Sequence, residues 1–66
     1  MENIQISLAA ARVNAGMTQD DVCKLMKVSK MTIVNWESGK TSPSVIQARQ
    51  LSAIYNMPLD FIRLPS

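Results

Sequence analysis

The sequence predicts an all-α fold of five short helices around one aliphatic core, and three observations lead there. Thr18 and Ser29 each stand where a side-chain hydroxyl can cap a helix, and only Lys27 and Val28 are left for the turn between the two helices. Hydrophobic residues make up 47% of the chain and aromatics only 5%, which suits small packed helices better than a sandwich or barrel. The length, 66 residues, allows one domain near the lower limit for a single core, so the helices must pack efficiently.

Taken in order, Ser7 can cap a first helix whose inward stripe is Leu8, Ala11, Arg12 and Ala15, ending at a left-handed Gly16. Thr18 opens the second helix. Asp21 is its reciprocal capping partner, and Met17 and Val22 are placed as the flanking hydrophobic staple. Val22, Cys23 and Met26 share a face, and Val28 follows them into the core. Ser29 repeats the cap for a third helix, with Val28 and Ile33 as its staple. Ile33, Trp36 and Glu37 point inward, leaving Lys30, Met31, Val34 and Asn35 outside. So short a turn makes the third helix cross the second steeply, with its outer face presented to solvent. Ser38, Gly39 and Lys40 break the chain. Ser42 or Ser44, with Pro43 in the first turn, opens a fourth helix with the inward stripe Val45, Ala48, Leu51, Ser52 and Tyr55. Asn56 ends it in a left-handed conformation. A short last helix from Pro58 to about Leu64 brings Leu59, Phe61 and Ile62 to close the core.

Composition narrows the chemistry. With no histidine and a single cysteine, Cys23, the chain lacks the commonest general base, an internal disulfide and a local set of metal ligands. No catalytic residues, cofactor or metal are expected, and the chain is not read as an enzyme. No apolar run approaches the roughly 20 residues of a membrane span, and the N-terminus lacks the basic flank and apolar block of a signal peptide, so no membrane partner and a cytoplasmic address are expected. The net charge is only +2, but it is unevenly placed. Between Val22 and Ser44, Lys24, Lys27, Lys30 and Lys40 stand against Glu37 alone; the remainder of the chain is slightly acidic.

The order and spacing of these residues resemble the Cro/repressor-type (Xre-like) helix-turn-helix family of phage and bacterial transcriptional regulators, across nearly the whole chain. The matching residues are Leu8 and Arg12, Gly16-Met17-Thr18-Gln19, Val28-Ser29, Ile33, Trp36-Glu37, Ser38-Gly39-Lys40, Pro43, Leu51 and Leu59-Asp60-Phe61-Ile62. Two positions depart from the pattern: Lys27 stands where the family usually has glycine, and Ala11 where it usually has a larger apolar residue. The resemblance implies a lambda-repressor-like DNA-binding domain over residues 1–66, with the helix-turn-helix at about 18–37. It also implies that Arg12 and Glu37 pair to tie the first helix to the third, and that the Gln19 amide meets a phosphate while bracing the third helix.

A helix fits the B-DNA major groove, so the outer face of the third helix supplies the candidate base contacts. Lys30 can donate to guanine O6 or N7, Asn35 can pair with adenine, and Met31 and Val34 suit a thymine methyl. Gln19, Thr32, Lys40 and Thr41 are candidate phosphate contacts, which set register rather than sequence. Trp36 is phased with Ile33 and reads as a core residue rather than a base-stacking platform. Cys23 reads as a structural thiol, since no partner base exists. One such domain reads few base pairs, which implies a homodimer on a pseudo-palindromic operator. Ile46, Ala53, Ile54 and Leu64 are candidate dimer contacts. The expected function is therefore a sequence-specific regulator of double-stranded DNA, a small Cro-like repressor of a bacterial cell or phage-infected host, with no small-molecule ligand. Two alternatives stay open: a protein-interaction module of antitoxin or adaptor type on the same fold, and the DNA-binding piece of a longer repressor.

Overall fold

A computed structural model describes residues 4–65. It contains four α-helices, α1 (Leu8–Asn14), α2 (Gln19–Met26), α3 (Lys30–Ser38) and α4 (Val45–Ile54), followed by a single 3-10 turn at Leu59–Phe61. Two short strands, β1 (Ile6–Ser7) and β2 (Ile62–Arg63), pair in parallel, with Ile6 opposite Ile62 and Ser7 opposite Arg63.

Every α-helix begins on a hydroxyl. Ser7, Thr18, Ser29 and Ser44 accept the N–H of Ala10, Asp21, Thr32 and Gln47, each bond satisfying a donor the helix ladder leaves unpaired, typically for about 1 kcal/mol. At α2 and α4 the capping is reciprocal, because Asp21 and Gln47 accept the backbone N–H of Thr18 and Ser44 in return. The bond from the Thr18 N–H holds the Asp21 carboxyl below the usual carboxylate range. The C-terminal ends are equally local. Gly16 (φ +73°), Lys27 (φ +58°) and Asn56 (φ +51°) take left-handed conformations after α1, α2 and α4. At Lys27 this lets its own N–H reach the Lys24 carbonyl and the Val28 N–H reach that of Cys23, which closes α2 and turns the chain into α3.

The core joins Leu8 and Ala11 of α1, Val22 of α2, Ile33 and Trp36 of α3, and Leu51 and Tyr55 from the fourth helix and its cap to Ile62 of β2. Met17, Cys23, Met26 and Val28 pack against it half-buried.

The C-terminal third departs from the sequence expectations. A fifth α-helix does not form: after Pro58 the chain makes one 3-10 turn and then extends. So short a segment gains little from helix propagation once nucleation is counted. Extension lets Ile62 bury its side chain and pair its backbone with Ile6. Phe61, expected to close the core, is instead 50% exposed. Pro43 precedes the Ser44 cap rather than lying in the first turn of α4. Val45, expected on the inward stripe, is 69% exposed: as the first helical residue it sits at the rim of the arc centred on Ala48, Leu51 and Tyr55.

Candidate nucleic-acid interface

Ile33 and Trp36, both buried, lock the rotation of α3 about its axis. Helical geometry then decides what faces out. Lys30 and Met31, on the first turn, are well exposed, whereas Val34 and Asn35, further along, are half-buried. Ser29 Oγ accepts the Thr32 N–H and lies 2.9 Å from Thr32 Oγ1, so the half-buried Thr32 hydroxyl is held at the start of the same helix.

A polar network fixes α3 relative to the two helices before it. Glu37 Oε2 accepts from Arg12 Nε at 2.7 Å, while Glu37 Oε1 accepts from Arg12 Nη2 at 3.3 Å and from Gln19 Nε2 at 3.0 Å. Arg12 Nη1 also donates to the Met17 carbonyl at 2.9 Å, tying the loop into α2 to the same centre. The hydrogen bonds that the Arg12 guanidinium donates to Glu37 raise it above its ordinary value, against the opposing effect of desolvation, so the charge is kept. One carboxylate thus joins α1, the first residue of α2 and the last turn of α3. Gln19, half-buried and held by this bond, sits at the positive end of α2.

At the same end of α3 the Asn35 carbonyl accepts the Lys40 N–H at 2.9 Å, the Thr41 N–H at 3.4 Å and the Ser38 hydroxyl at 3.2 Å. The loop therefore folds back on the helix end and carries the exposed Lys40 and Thr41 with it. The Ser42 hydroxyl donates to the Pro65 carbonyl, which ties this loop to the chain beyond β2.

The residues considered for a second copy do not form one surface. Ile46 is 72% exposed and Ala53 is exposed on the same side of α4, whereas Ile54 and Leu64 are half-buried against this molecule's own core. Trp36 lies in the core, and the Cys23 thiol donates to the Asp20 carbonyl at 3.2 Å within its own helix. Asp20, which the sequence reading did not single out, places its carboxylate 3.4 Å from the Lys30 ammonium. No local pattern marks that contact, because it joins the starts of two different helices. Among the described residues no group of three or more side chains could hold a metal ion, and no helix is long and apolar enough to cross a membrane.

Comparison with known proteins adds one finding. A helix-turn-helix family model matches residues 8–62, from the start of α1 into β2. No curated protein matches the chain, and no solved structure does. The match takes in the two crossed helices, the Arg12–Glu37 pair and the outward face of α3 together, and on it the chain belongs to the Cro/C1-type helix-turn-helix family of DNA-binding transcription regulators.

Proposed function

We propose that the protein is a small Cro-like repressor that reads a pseudo-palindromic operator as a homodimer, with α3 in the major groove of each half-site. The observation that carries this reading is the braced position of α3. The helix is held by Glu37 at its inner face and exposes Lys30 and Met31 on its first turn, while Gln19, bonded to Glu37, and the folded-back Lys40–Thr41 loop both flank its last turn. In this arrangement Lys30, Met31, Val34 and Asn35 address base edges. Gln19, Thr32, Lys40 and Thr41 address phosphates, Gln19 aided by the positive end of α2. Ile46 and Ala53 are the exposed members of the dimer contact.

Selection of bound DNA from a randomised duplex pool, with Asn35→Ala run in parallel, tests the proposal. An enriched inverted repeat that loses definition at one base in the variant supports a dimeric operator reader. The absence of enrichment by folded protein overturns it in favour of a protein partner for the same face.

A further inference from the structure

We propose that Asp20 is a specificity-determining residue: it keeps the Lys30 ammonium available to base edges and withholds it from the phosphate backbone. The inference rests on the reading of α3 as the base-contacting helix. Asp20 Oδ1 lies 3.4 Å from Lys30 Nζ, with side chains 60% and 57% exposed. A pair this open contributes little to folding. Gln19, the residue before Asp20, is bonded to Glu37 of α3, which ties the start of α2 to that helix.

Lysine has three N–H donors. One directed at Asp20 leaves two for guanine O6 and N7, so base reading and the ion pair are compatible. A phosphate is different: it is itself an anion, and sharing the ammonium with the Asp20 carboxylate sets two like charges side by side, a repulsion that a neutral base edge does not bring. Phosphate contacts supply essentially all of the affinity for unrelated DNA and only part of the affinity for a cognate site. The penalty therefore falls mainly on the wrong sequences, and discrimination comes from weakening the competitor. The modest net charge of +2 makes each such contact count.

The test measures binding of the full chain to its selected operator and to an unrelated duplex, across a salt series, for wild type, Asp20→Asn, Lys30→Ala and the double variant. Asp20→Asn is expected to bind the unrelated duplex about five-fold tighter at low salt, with a log–log salt slope steeper by about one phosphate contact. Operator affinity should change by less than about two-fold, so the specificity ratio drops. In the Lys30→Ala background the same substitution should shift both DNAs equally. An equal gain on both DNAs in both backgrounds would make Asp20 a general repulsive charge and overturn the proposal, as would no change on either DNA. If Lys30→Ala leaves operator selectivity intact, Lys30 is not a base reader and this inference fails while the operator reading survives. If the wild type does not distinguish the two DNAs, both fail.

Discussion

Arg12 and Glu37, twenty-five positions apart, meet through two hydrogen bonds, with side chains only 15% and 9% exposed. Glu37 also holds the Gln19 amide, so one carboxylate sets the orientation of α3 against both earlier helices. Removing it would leave a nearly buried guanidinium without its counter-charge. Glu37→Gln is expected to lower stability by about 2 kcal/mol, below the full cost for a buried pair because some solvent remains. Replacing both residues with methionine should cost less than the sum of the single losses. Urea unfolding of the four-member cycle measures the coupling; strict additivity would mean that the pair does not act as a unit.

Lys27 occupies a left-handed conformation with φ +58° and ψ +43°. An L side chain there costs on the order of 1 kcal/mol, which glycine avoids. Lys27→Gly should therefore raise stability by up to about 1 kcal/mol, while Lys27→Ala should give no gain. A thermal melt in which alanine and glycine behave alike would contradict this account of the turn.

Burial pushes the Tyr55 phenol up to about 12, with the nearby Glu37 charge adding to the rise and Arg12 opposing it. The ordinary value is about 10, so between these limits the unfolded chain releases a proton that the folded one keeps. Stability is then full below pH 10 and declines as pH rises toward 12, by on the order of 2 to 3 kcal/mol from this group. Tyr55→Phe should flatten that part of the pH–stability curve, measured by denaturant unfolding at matched ionic strength.

Lys40 sits on the exposed loop bonded back to the Asn35 carbonyl. As a phosphate contact it should strengthen all sequences alike. Band-shift titrations of Lys40→Ala are expected to show equal weakening on operator and unrelated DNA, with a salt slope reduced by about one. A selective loss on the operator would instead make Lys40 a base reader.

Ile46 offers the clean test of the dimer, since Ile54 packs against the core and its replacement would confound association with folding. Ile46→Lys should leave the thermal melt of the monomer nearly unchanged and weaken operator binding, with half-site binding retained. Sedimentation with operator DNA checks this; an unaltered dimer on DNA removes Ile46 from the interface.

Features that depend on neighbours within a turn of helix are legible in the sequence alone. The hydroxyl caps at Ser7, Thr18 and Ser29, the reciprocal bond that Asp21 accepts, the left-handed Gly16 and Asn56 and the inward phase of Ile33 and Trp36 all follow from residues a few positions apart. The remaining features arise from contacts between distant parts of the chain. Whether the segment after Pro58 coils or extends depends on Ile6 being there to pair with Ile62, and the Gln5 amide donates to the Asp60 carbonyl beside it. Ile54 and Leu64 look free in a one-dimensional pattern, yet they pack on the core. Lys30 has its carboxylate partner on another helix, in Asp20. In each case the deciding partner is brought close by the packing of the whole domain, and helical periodicity carries no information about it.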